Sequence, residues 1–135
     1  MLFRSGDVTG TIFAQHSAGC VACHMHESNH SFMPQEAACL ACHSSVPETA
    51  MDAIYTDLVE IAHALEALHA VHIDSDWEDG DALYGMVHPV LASLPRAEFQ
   101  AAWNFLFMME DRSLSAHNPT FVKAMIADCQ DKLGL

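Results

Sequence analysis

The sequence predicts a mainly α-helical domain led by an irregular N-terminal lobe, and three observations carry that expectation. The segment 1–46 holds four of the five cysteines and five of the ten histidines among small residues, Gly6, Gly10, Gly19 and Pro34, so it reads as loops with short helical turns. From Pro47 onward, Met51, Ile54, Leu58, Ile61, Leu65 and Leu68 recur in steps of three and four, which lays one apolar stripe along a helix. Beyond it, proline and glycine punctuate two further helical stretches. At 135 residues and 51% hydrophobic content the chain suits one compact domain, 1–135, with lobe 1–46 and helical part 47–135.

The elements follow in order. A short strand is expected near Val8 to Phe13. The long helix is expected to start near Pro47 and fray around Asp74. A Ser-Asp-Trp-Glu-Asp-Gly-Asp loop follows, then an apolar stretch from Ala82 to Leu94 that Pro89 breaks or kinks. Pro95 occupies the first turn of a helix running to about Asp111 through Phe99, Trp103, Leu106 and Phe107. The last helix has Asn118 as N-cap, Pro119 at its first position and Gly134 as its stop. Cys129 shares a face with Val122, Met125, Ile126 and Leu133, so it reads as a small buried side chain, with an intermolecular disulfide as the alternative.

Charge narrows the partners. Eighteen acidic against five basic residues give a formal charge of -13, which repels phosphate backbones and anionic lipid, so neither nucleic acid nor a membrane surface is expected. Basic proteins or oxide surfaces suit it better. No apolar run approaches the roughly 20 residues that cross a bilayer. Met1 to Gly10 has Arg4 but no apolar stretch of signal-peptide length, so a removed leader or a mature piece is expected.

The chemistry lies in Cys20-Val21-Ala22-Cys23-His24 and Cys39-Leu40-Ala41-Cys42-His43, two copies of the C-x-x-C-H pattern of covalent haem attachment. Two intervening residues form one turn, so both sulfurs lie along one porphyrin edge, where they form thioethers with its vinyl groups. The histidine then binds the iron as proximal ligand. Two covalent c-type haems are therefore expected, packed against three or four helices. The rival is a four-cysteine zinc site, since the two C-x2-C pairs lie fifteen residues apart. It leaves the two histidines unexplained: with 10 histidines in 135 residues, chance places one after each pair about half a percent of the time.

Each iron also needs a sixth ligand, unless it is an open catalytic site, and eight further histidines and 8 methionines are on offer. By position, His16, His30 and His117 lead. His117 has the further advantage of preceding a helix, whose positive end keeps an imidazole neutral and able to bind metal. His63, His69 and His72 lie on or beside the long helix, and His26 and His88 are crowded by a proximal ligand and a proline, so all five read as ordinary surface or core residues. Met25, Met33 and Met51 are the methionine alternatives, while Met108, Met109 and Met125 read as helix packing.

Taken in order, H-S-A-G-C-V-A-C-H-M from His16 to Met25, N-H-S-F from Asn29 to Phe32, the second C-x-x-C-H, and E-D-R-S-L-S-A-H-N-P from Glu110 to Pro119 resemble the C-terminal half of large multihaem cytochromes c. That group includes the ammonia-forming cytochrome c nitrite reductases and relatives with more haems. The resemblance implies that His117 completes the iron held by His24, that His16 pairs with His43, and that His30 reaches a haem elsewhere. The chain has no counterpart of the N-terminal half, no third attachment motif and no C-x-x-C-K, so nitrite reduction is not implied. If His30 keeps that role, the haem it reaches belongs to another copy of the chain, and such a head-to-tail contact need not close and could build a filament. The bland alternatives keep His30 on a haem of its own chain or in a loop cap.

The expected function is electron transfer outside the cytoplasm, periplasmic or extracellular, by two bis-histidine haems with a redox protein or extracellular acceptor as partner. No catalysis is expected with both axial positions filled. A small haem redox enzyme with one open iron and a structural polymer are the other readings.

Overall fold

The computed structural model describes residues 19–46, 48–78, 83–90, 93–114 and 116–135, and the strand expected near Val8 to Phe13 lies outside them. The chain is mainly helical. Among the described residues, five α-helices and one two-stranded sheet run in the order α1 (Gly19–His24), α2 (Glu36–Leu40), α3 (Glu48–Ala67), β1 (Val71–Ile73), β2 (Val87–Pro89), α4 (Arg96–Asp111) and α5 (Pro119–Leu133).

The apolar stripe of α3 turns inward as Ile54, Leu58, Ile61 and Leu65, each 2% exposed or less, while Met51 and Leu68 at its ends stay outside the core. The helix stops seven residues earlier than expected, at Ala67 rather than near Asp74. His69 takes a left-handed φ of 56°, and the Ala70 N–H returns to the Leu65 carbonyl, which closes the helix and turns the chain into β1. The sheet was not anticipated from sequence. Val71 and Ile73 point into the core with His72 between them, and β1 pairs antiparallel with β2 in the register Val71 to Pro89, His72 to His88, Ile73 to Val87. Three residues of alternation are too few to read as a strand by themselves. β2 ends at Pro89, the break expected of that proline in the apolar stretch from Ala82 to Leu94.

α4 and α5 form the largest helix pairing, and both pack on α3. The buried face of α4 is Ala101, Ala102, Phe105, Met108 and Met109, whereas the aromatics expected to pack, Phe99, Trp103 and Phe107, remain 43%, 44% and 40% exposed. Small Ala101 and Ala102 let α5 approach closely, so Phe105 fills the centre instead. Two polar ties cross between helices. Asn104 Nδ2 donates to Asp128 Oδ2 at 2.8 Å, and Gln130 Nε2 reaches Asp57 Oδ1 on α3 at 3.5 Å. α5 begins as expected, with Asn118 Oδ1 accepting the Phe121 N–H at 3.1 Å and Pro119 next, and ends at Gly134, whose φ of 73° suits a residue without a Cβ.

Cys129 lies fully buried between α5 and α4, its sulfur 3.5 Å from the Ala101 carbonyl, and Met108, Met109 and Met125 are core residues as expected. Burial first, then the charge of Asp128, pushes the Cys129 thiol from 9.0 up to about 12. Burial, then Asp111, pushes the Tyr84 phenol from 10.0 up to about 12. Both groups hold their proton more tightly folded than unfolded. The stability they contribute is complete below about pH 9 and is lost as pH rises toward 12. We predict that Cys129 resists alkylation at neutral pH until the chain is denatured, and labelling at the rate of an exposed thiol would overturn its placement.

Candidate metal centre

Residues 19–46, the described part of the N-terminal lobe, have almost no core of their own. Among residues 19–46 only Ala38 is buried, and Val21, Phe32, Met33 and Leu40 are 65%, 58%, 69% and 46% exposed. So many apolar side chains in so short a stretch form a surface suited to covering by an apolar group.

Both C-x-x-C-H motifs coil into single helical turns. Gly19 enters α1 with a φ of 75°, and α1 then carries Cys20, Cys23 and His24 with Cys20 exposed and Cys23 half-buried. In the second motif, α2 ends at Leu40, and the His43 N–H still bonds the Cys39 carbonyl at 2.9 Å, so Cys39, Cys42 and His43 stay on the helical path. The thiols of each pair are thus offered along one turn. All four of these cysteines are free of disulfide bonds.

His24 and His117 are 93 positions apart in sequence, yet their ring centroids stand 6.1 Å apart with the planes tilted by 44°. Two imidazoles that bind one metal ion from opposite sides, each nitrogen at about 2 Å from it and each ring centre roughly 1 Å further out, have centroids about 6 Å apart. The separation matches that arrangement.

Their outer nitrogens are held in the manner of metal ligands. His24 Nδ1 lies 2.8 Å from the Phe32 carbonyl oxygen, and His117 Nδ1 lies 2.7 Å from Asp111 Oδ1. A carbonyl and a carboxylate oxygen only accept, so each Nδ1 carries the proton and donates it. In the neutral imidazole the coordinating lone pair then sits on Nε2. Phe32 delivers its carbonyl from a left-handed backbone, φ 59°, within a loop built by the Asn29 side chain accepting the Ser31 N–H and the Ser31 hydroxyl accepting the Met33 N–H. Asp111, the last residue of α4, is held by the Ser113 hydroxyl, and Ser113 Oγ accepts the His117 N–H at 3.4 Å. The connectivity is not that of a hydrolase triad. Here the serine is on the carboxylate, whereas a nucleophilic serine must meet the far nitrogen of the histidine.

The other candidates stand apart. His16 lies outside the described residues, so its pairing with His43 has no geometry here. His43 is exposed in the turn after α2. His30 is exposed, with its ring edge-on to Phe32 at 6.4 Å. His63 stacks obliquely on Trp77 at 5.6 Å, and His72 and His88 face each other across the sheet beside Asp74. Met33 is exposed and Met25 half-buried. Sequence reasoning missed Asp111, Ser113 and the Phe32 carbonyl. The first two lie in the quoted E-D-R-S-L-S-A-H-N-P run, but only a carboxylate six residues before a histidine marked them.

Among the described residues no three His, Cys, Asp or Glu side chains converge to hold a metal ion. A four-thiolate zinc site draws all its donors from the protein, whereas a haem iron takes two from the protein and the rest from its porphyrin. Among the described residues, too, no helix is long and apolar enough to cross a membrane. Set against models of protein families, curated proteins and solved structures, the chain matches none.

Proposed function

We propose that this chain is a c-type cytochrome that carries two covalent haems, on Cys20, Cys23 and His24 and on Cys39, Cys42 and His43, and that its work is electron transfer. The observation that carries the reading is the His24 and His117 pair, set 6.1 Å apart with both Nδ1 atoms tied to oxygen acceptors, at the end of a C-x-x-C-H turn. A haem held there supplies a one-electron Fe(III)/Fe(II) couple.

The protein's own residues do the rest. The thiols of Cys20 and Cys23 and of Cys39 and Cys42, each pair on one helical turn, would hold a haem through its two vinyl groups without a deep pocket. Val21, Phe32, Met33 and Leu40, exposed in the described residues, would lose contact with water against such a group. His24 and His117 would both hold the iron of the first haem, which would keep small molecules from it and favours a carrier over an oxygen- or oxyanion-reducing enzyme. The second iron takes His43, with His16 as its partner by the resemblance to multihaem cytochromes. Attachment of this kind belongs outside the cytoplasm, in the periplasm or extracellular space, where a redox protein or extracellular acceptor would be met. The acidic surface favours a basic partner.

The decisive measurement is an intact mass combined with the visible spectrum of the reduced protein. Two haems per chain that stay with the polypeptide in acidified organic solvent are expected, with low-spin bands from both. A colourless protein, or pigment that extracts, returns the cysteines to the zinc reading.

One assembly proposal rests on His30. Its imidazole is exposed beside the loop that orients His24, where a second copy can reach it, and head-to-tail ligation through it would join subunits into a filament. His30→Ala is expected to abolish large assemblies in light scattering while both haems remain bound. Unchanged assembly with both irons six-coordinate would end the idea.

A further inference from the structure

The two histidines of the His24 and His117 pair do not have equivalent supports. His24 donates to a neutral backbone carbonyl, that of Phe32, whereas His117 donates to the carboxylate of Asp111. The second contact is also the better shielded, with the His117 and Asp111 side chains 28% and 13% exposed. A charged acceptor in a partly dry setting draws the imidazole proton toward itself more strongly than an amide oxygen does.

The carboxylate is itself locked in place. Ser113 donates to its second oxygen and accepts the His117 N–H, so Asp111, Ser113 and His117 form a closed ring of hydrogen bonds. Arg112 and Leu114 adopt left-handed φ values of 53° and 43° around Ser113. Non-glycine residues take that conformation at a cost, and here two of them flank the serine that closes the ring.

We infer that Asp111 is a positioning residue that sets both the tautomer and the donor strength of His117, and thereby lowers the reduction potential of the one haem this histidine would ligate. The inference rests on the proposed di-haem reading. Polarising Nδ1–H raises electron density on Nε2, and a richer donor favours Fe(III) over Fe(II). The negative charge of the carboxylate acts in the same direction. His24 Nδ1 meets the neutral Phe32 carbonyl instead, so the charged support belongs to the His117 side. The contact would act on one of the two haems, the one that His117 would ligate.

The test uses the full haem-loaded chain. Asp111→Asn retains an oxygen that accepts the Nδ1–H but removes the charge. Expected are two haems by mass, two low-spin irons, and a spectroelectrochemical titration in which one of the two midpoints moves positive while the other stays. The ferric electron paramagnetic resonance signal of the same haem should change, and Asp111→Glu should recover part of the shift. A purely structural role would not move one potential selectively. Should Asp111→Asn fail to fold, Ser113→Ala, which removes the hydroxyl that donates to the carboxylate and leaves more of its charge for the His117 Nδ1–H, carries the test with a smaller shift of the opposite sign, to more negative potential. Two retained haems with both midpoints unchanged in whichever variant folds would overturn the role of Asp111 and leave the cytochrome reading standing. Colourless wild-type protein would remove both.

Discussion

On the proposed di-haem reading, His117→Gly is expected to keep two covalent haems on the chain but to turn one of them, the haem anchored beside His24, from low-spin and six-coordinate to high-spin. Glycine removes the imidazole and leaves the thioether anchors and the proximal ligand untouched, so mass and spectrum separate. Half of the low-spin signature should be lost, the altered iron should take up carbon monoxide, and added imidazole should restore the original spectrum. The physical reason is distance. The ring centroids of His24 and His117 lie 6.1 Å apart, and each Nδ1 donates to an oxygen, of Phe32 and of Asp111, which leaves the coordinating lone pair of each neutral ring on Nε2. Two irons that both remain low-spin in this variant would show that another residue completes the first centre.

The second large effect is on stability. Phe105 is fully buried at the middle of α4, in the same cluster as Ile61, Leu65 and Met125. Truncating it to alanine should cost about 3–5 kcal/mol, because the lost burial is compounded by a cavity that a close-packed three-helix core does not collapse to fill. Total stability of a domain this size is roughly 5–15 kcal/mol, so the variant should sit near the edge of folding. Phe99→Ala, in the first turn of the same helix, is the control. With Phe99 43% exposed, its loss should cost about 1 kcal/mol or less. The shift of the guanidinium midpoint for the two variants, followed by far-ultraviolet circular dichroism, reads the difference directly. Equal shifts would mean that α4 presents its aromatic face to the core after all.

That comparison marks where sequence pattern stops informing. On α4 both candidate faces are apolar, one aromatic and one of alanine, phenylalanine and methionine, so hydropathy does not rank them. The choice falls to fit against α5. The small side chains of Ala101 and Ala102 permit a close approach that Trp103 would prevent. On α3 only one stripe is apolar, and it alone turns inward. The same logic explains the hairpin. Val71 and Ile73 alternate with His72 for three residues only, which is a strand when β2 supplies its hydrogen-bond partners and indistinct from a loop without them.

Local chemistry by itself determined the two attachment turns as helical coils, the apolar stripe of α3, and the beginning and end of α5, because a cap, a proline or a left-handed glycine acts within one turn of its own position. Only the tertiary fold decided that His24 meets His117, that Phe32 and Asp111 hold their outer nitrogens, and that Phe105 rather than Trp103 fills the core. These contacts join residues whose separation along the chain carries no signal. They exist because the packing of α3, α4 and α5 brings His117 to His24 and makes a carboxylate and an imidazole six residues apart partners in one hydrogen-bonded ring.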